Sequence, residues 1–125
     1  MLAGAVLYAK NLEKLITFYV GIGGQQTDAV DGEFAAIATS DAELIILQTP
    51  EQIASQIVIE TPPAVRATTP LKPIVNVTSI DEVVQNLPEL GGMIVPGSSQ
   101  WQFRNNLVQD IVDPEGNVVQ LWQGV

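Results

Sequence analysis

Ala5-Val6-Leu7-Tyr8-Ala9, followed at once by Asn11-Leu12-Glu13-Lys14-Leu15-Ile16, has a counterpart later in the chain. That counterpart is Pro73-Ile74-Val75-Asn76-Val77, followed by Ser79-Ile80-Asp81-Glu82-Val83-Val84. Each stretch is a short apolar run, then a helix start. Asn11 and Ser79 are N-cap candidates, because a side-chain oxygen there accepts from an otherwise unpaired helix N–H. Glu82, three residues after Ser79, completes a capping-box pattern. Leu12, Leu15, Ile16 and Tyr19 recur at helical spacing, as do Ile80, Val83, Val84 and Leu87. Each copy closes on an apolar strand, Glu43-Leu44-Ile45-Ile46-Leu47-Gln48 in the first and Asn117-Val118-Val119-Gln120-Leu121-Trp122 in the second. The copies align at an offset of 68 through strand and helix (Ala9 to Val77) and 74 at the closing strand (Ile46 to Gln120).

The intervening segments complete the unit. Gly21, Gly23 and Gly24 end the first helix. Residues 25–30 and 34–39 read as a hairpin around Asp31-Gly32, a strong turn signal. Ser40-Asp41 reads as another turn. In the second copy Pro88 ends the helix near Leu87, since an interior proline costs about 3 kcal/mol. Strands follow near Met93-Ile94-Val95 and over Leu107–Val112. Asp113-Pro114-Glu115-Gly116-Asn117 is a tight turn, with proline preset for its second position and glycine free to take positive φ. Each copy is therefore βαβββ, and the fold class is α+β. Residues 1–49 form the first module and 72–125 the second, within one domain. Residues 50–71 carry Pro50, Pro62, Pro63 and Pro70 and read as a linker, with a short helix over Glu51–Ile57.

A chain of 125 residues that is 46% hydrophobic and 15% charged can bury a full core without a metal or disulfide staple. It contains no cysteine and no histidine. A net charge of −9 opposes binding to nucleic acid or an anionic membrane surface and favours a cationic ligand. No apolar run approaches the roughly 20 residues that span a bilayer. The start lacks a basic region before its apolar run, so a cytoplasmic protein is expected.

The tandem βαβββ pattern resembles the vicinal oxygen chelate superfamily, the glyoxalase/bleomycin-resistance/dioxygenase family. Asn11-Leu12-Glu13-Lys14-Leu15-Ile16-Thr17-Phe18-Tyr19, then Ile22-Gly23, looks like the family's first helix. Asp113-Pro114-Glu115-Gly116-Asn117 looks like its final turn, and Trp101-Gln102-Phe103-Arg104 like the Trp-Gly-x-Arg segment of resistance-type members. The resemblance implies a half-open, curved mixed sheet around a ligand and a homodimer that completes the cleft. It also implies metal positions at Gly4, Ile46, Lys72 and Gln120, of which only Gln120 could coordinate. A catalytic divalent site wants three or more N or O ligands, so no metal and no cofactor are expected.

Strand alternation then assigns the faces. Val6 and Tyr8 face the cavity, as do Leu44, Ile46, Gln48, Lys72, Ile74, Asn76, Val118, Gln120 and Trp122. Trp101 and Phe103 lie in a polar segment without a strand pattern and could stack on a planar ligand. Arg104 could hold an anionic group and Asp110 a cation. The candidate ligand-binding residues are thus Tyr8, Gln48, Asn76, Trp101, Phe103, Arg104, Asp110, Gln120 and Trp122. With no nucleophile–base pair in view, the reading is a metal-free binding protein that sequesters a small cationic or aromatic organic ligand. The alternative is a metal-independent lyase or isomerase using a cavity carboxylate or tyrosine.

Overall fold

The computed structural model describes residues 1–39 and 41–125. The first unit is strand β1 (Gly4–Ala9), helix α1 (Leu12–Gly21), and strands β2 (Gln25–Val30), β3 (Phe34–Thr39) and β4 (Ala42–Gln48). The turn expected at Ser40-Asp41 includes Ser40, which lies outside the described residues. A short helix α2 (Glu51–Ala54) opens an irregular connection to β5 (Ile74–Asn76). The second unit continues with α3 (Ile80–Asn86), a 3-10 turn (Leu87–Leu90), β6 (Met93–Ile94), β7 (Trp101–Phe103), β8 (Asn106–Val112) and β9 (Val118–Gly124). Both caps form as expected: Lys14 N donates to Asn11 Oδ1 and Glu82 N to Ser79 Oγ, each at 3.2 Å. Pro88 sits inside the 3-10 turn, where α3 has already ended.

Each unit builds one mixed sheet. The first has strand order β1-β4-β3-β2, with β1 parallel to β4. The second has order β5-β9-β8, with β5 parallel to β9 and both β6 and β7 antiparallel to β8. The place of β2 is therefore taken in the second sheet by one edge strand broken in two. The segment around Trp101, expected without a strand, is the second half of that edge. Arg104 (φ 49°) and Asn105 (φ 63°) turn it into β8 as a two-residue hairpin. Positive φ at both turn positions matches the twist of the flanking strands, but arginine is an uncommon residue there.

The strand register corrects the repeat. Leu7 pairs with Ile46, and its counterpart Val75 pairs with Leu121. The closing strands therefore align at an offset of 75, one residue from the expected 74.

The helix-side faces of both sheets feed one core. It joins Leu15, Phe18 and Tyr19 of α1 and Ile37, Leu44 and Ile46 of the first sheet to Val75, Ile111, Val119 and Leu121 of the second. Full burial of such a side chain contributes about 1.5–3 kcal/mol. A polar clasp fixes how the units meet. Glu115 Oε1 accepts from Lys10 N at 2.9 Å, and Oε2 from Asn11 N at 2.7 Å, at the entry to α1. Asp113 Oδ2 accepts from Tyr19 OH at 2.8 Å, and Oδ1 from Glu115 N and Asn117 N at 2.8 and 3.0 Å. The connection is tied to the same turn, with Arg66 N donating to Gly116 O at 2.8 Å. Gly116 is required twice over: its φ is 89°, and a Cβ would stand 2.1 Å from Ala64 O. Lys10 Nζ anchors the start of the connection through the carbonyls of Ala54 and Ile57.

Burial raises Asp113 from its ordinary value, against the pull of hydrogen bonds from Asn117, Tyr19 and Glu115. Burial, reinforced by the Asp113 charge, raises Tyr19 well above the ordinary phenol value.

Two outcomes follow. Glu115→Ala strands the part-buried N–H groups of Lys10 and Asn11 and should cost about 1–3 kcal/mol in urea unfolding, with Glu115→Gln costing less. For Tyr19, a raised folded pKa means that its contribution is full below the unfolded value of about 10. That contribution is lost as pH climbs through the folded value, because the unfolded chain releases its proton first. Tyr19→Phe should therefore flatten the alkaline limb of stability above roughly pH 10. A mutant curve parallel to the wild type over that range would contradict this.

Candidate functional site

Directly paired residues share a face of a sheet, so the registers place every candidate. On the first sheet, Val6 and Tyr8 lie beside Ile45 and Leu47, with Phe34 and Ala36 next in line. This face is turned from the core, and Val6 and Tyr8 are 55% and 65% exposed. The expectation that Leu44, Ile46 and Gln48 also line it is corrected. Leu44 and Ile46 are buried on the helix side, and Glu43, Ile45 and Leu47 take the open face. The cause is the one-residue offset, since a single step along a strand moves every side chain to the other face.

Gln48 is a structural residue on the helix side. Its Oε1 accepts from Leu12 N at 3.1 Å, and its Nε2 donates to the carbonyls of Ala9, Lys10 and Thr49 at 3.2, 2.8 and 3.2 Å. Gln123 repeats the arrangement in the second unit, accepting from Ile80 N at 2.8 Å. The true counterpart of Gln48 is therefore Gln123, and the match was available in the sequence at an offset of 75.

The second sheet gathers most of the candidates. Ile74 and Asn76 on β5 pair with Gln120 and Trp122 on β9, which pair in turn with Asp110 and Val108 on β8. Trp101 pairs with Val108 and Phe103 with Asn106, so both aromatics join the same open face. Phe103 and Trp122 meet edge to face, with ring centroids 5.7 Å apart. Trp122 Nε1 donates to Gln120 Oε1 at 3.1 Å. Asp110 Oδ2 accepts from Lys72 Nζ at 2.8 Å, an ion pair the sequence did not signal. Arg104 stands at the hairpin tip beside this face, its carbonyl accepting from Asn106 Nδ2 at 2.9 Å. Tyr8 stands on the other sheet, apart from this group.

The metal positions can be tested against these side chains. The corrected register replaces Ile46 by Ile45, which is equally without a donor. Lys72 brings an ammonium, paired to Asp110, where a ligand lone pair would be needed. Among the described residues, no group of three or more His, Cys, Asp or Glu side chains could hold a metal ion. The donor set does not fit a divalent metal. Two concavities lie elsewhere. One, of about 370 Å³, is set between α1 and the β2–β3 hairpin and includes Leu12, Glu13, Ile16, Asp31 and Phe34. The other, of about 210 Å³, lies along the connection near Val58, Glu60, Arg66 and Glu115.

No family model and no curated protein matches the chain. Solved structures do. A glyoxalase-related enzyme from Fulvimarina pelagi matches with a TM-score of 0.67 and 16% identity, over 99% of this chain and 88% of that one. The bleomycin resistance determinant encoded on transposon Tn5 matches with a TM-score of 0.60 and 15% identity, over 99% and 98%. The bleomycin-binding protein from Streptomyces verticillus, solved with copper(II)-bleomycin, matches with a TM-score of 0.57 and 20% identity, over 100% and 98%. These are vicinal oxygen chelate proteins, and the chain shares their glyoxalase/bleomycin-resistance fold.

The two glutamines should separate in mutagenesis. Gln48→Ala removes the acceptor for the Leu12 N–H and a donor to the Ala9, Lys10 and Thr49 carbonyls, and should lower stability by about 1–3 kcal/mol. Gln120→Ala, on the open face, should cost less than half as much. Equal losses in chemical denaturation would refute this division of roles.

Proposed function

We propose that this chain is a metal-free small-molecule-binding protein of the glyoxalase/bleomycin-resistance family, acting as a cytoplasmic homodimer that holds an aromatic organic ligand in a cleft between copies. The observation that carries the reading is the open face of the second sheet. Trp101 and Phe103 are 40% and 49% exposed there, beside the polar groups of Lys72, Asp110 and Gln120. An apolar surface with a few convergent polar groups is the composition of small-molecule sites. Aromatic side chains held this openly are suited to stacking on a planar ligand.

Several features support the rest. The solved neighbours include proteins described as binding bleomycin. The first sheet leaves Val6, Tyr8 and Val30 exposed, and a contiguous apolar surface of this kind favours cover by a second copy. The donor set argues for binding without a metal. No helix among the described residues is long and apolar enough to cross a membrane. The charge of −9 disfavours nucleic acid. Between the cationic and aromatic ligands expected from the sequence, the Lys72–Asp110 pair favours the aromatic, because the carboxylate already has its cation.

A thermal-shift screen of aromatic compounds, with light scattering to fix the oligomeric state, tests the reading. A dimer is expected, with at least one compound raising Tm and Trp122→Ala weakening its binding at least tenfold, about 1.4 kcal/mol. Zinc, nickel and manganese should leave Tm unchanged. A stabilisation by metal that chelator reverses, or a folded protein that no aromatic compound shifts, would overturn it.

A further inference from the structure

The open face of the second sheet offers more hydrogen-bonding capacity than its own side chains use. Lys72 donates to Asp110 Oδ2, yet its side chain stays 35% exposed, which leaves ammonium donors free. Asp110 is only 13% exposed, and its Oδ1 is buried without a hydrogen-bond partner among the described residues. Buried acceptors are almost always met, so this oxygen marks a place for a donor. Gln120 lies directly across the strands from Asp110. Its Oε1 is engaged by Trp122 Nε1, which leaves its amide N–H groups to donate.

The charges restrict what can complete this row. A cation meets the Lys72 ammonium, and an anion meets Asp110. An uncharged edge with an acceptor next to a donor satisfies both: its C=O takes a proton from Lys72, and its N–H gives one to Asp110. The χ2 torsion of aspartate is broad, so a partial turn of the carboxylate brings Oδ1 toward the open face without displacing the backbone. Beside this row stand Trp101 and the edge-to-face pair Phe103–Trp122, a surface for a flat ring.

We infer that this face recognises an uncharged planar heteroaromatic compound through a lactam-type edge, N–H to Asp110 and C=O to Lys72, with its ring against the aromatic group. The inference rests on the reading of the chain as a small-molecule binder and narrows the ligand class.

Calorimetric titration with three probes tests it: quinolin-2(1H)-one, its N-methyl derivative, which lacks the donor, and the N-methylquinolinium cation. The wild-type protein should bind quinolin-2(1H)-one at least tenfold more tightly than either of the others. Asp110→Val should abolish the preference for N–H over N-methyl. Lys72→Met, which leaves Asp110 with an uncompensated charge, should turn the preference toward the cation. Equal affinity of wild-type protein for the first two probes overturns the lactam edge while leaving aromatic binding intact. Preference of the wild-type protein for the cation overturns it as well. Failure of all three to bind overturns this inference, and a folded protein unmoved by the wider aromatic screen overturns the binding reading itself.

Discussion

The contact between the Asp113–Asn117 turn and the start of α1 governs the arrangement of the molecule. Two buried carboxylates hold it together. Glu115 receives the N–H groups of Lys10 and Asn11, and Asp113 receives Tyr19 OH and the N–H groups of its own turn. An ionised acceptor strengthens each such bond, and the low local dielectric makes any missing partner expensive. The turn is the last of the second unit and the helix is the first of the chain, so one small polar group joins the two ends of a duplicated fold. It also sets where the connection runs, through Arg66 and the close approach of Ala64 to Gly116.

With the units clasped this way, the helices and the inner faces of both sheets share one core. Each sheet then has a face left over. On the first sheet it is apolar, with Val6, Tyr8, Ile45 and Leu47. On the second it is aromatic and polar, with Trp101, Phe103 and Trp122 around Lys72, Asp110 and Gln120. The function proposed lives on this leftover surface. The Lys72–Asp110 pair shapes its chemistry most, because it places opposite charges side by side where a metal would require lone pairs.

Much of this was legible in the sequence, and the residues show why. Asn11 and Ser79 cap their helices as their side chains predict, Pro88 ends α3 where its ring forbids continuation, and Asp113-Pro114-Glu115-Gly116-Asn117 forms the expected turn. Gln120 and Trp122 fall on one face with Asn76, as strand alternation predicts, because the final turn lies only a few residues before β9 and fixes its phase. The first sheet had no such anchor at β4, and a one-residue error sent Leu44, Ile46 and Gln48 to the wrong side. Trp101 and Phe103 looked unstructured because their strand is three residues long and turns through Arg104, a residue with no turn signature.

What the sequence determined by itself was local: helix faces, caps, turns, the duplication, and the lack of histidine donors. These depend on interactions within a few residues, which composition and spacing record directly. Tertiary structure alone decided the register of β4 on β1, the meeting of Lys72 with Asp110 across 38 residues, and the closure of Glu115 onto Asn11 across 104. Those contacts join segments far apart in the chain. A strand's period of two gives the same pattern for either register until its partner is in place.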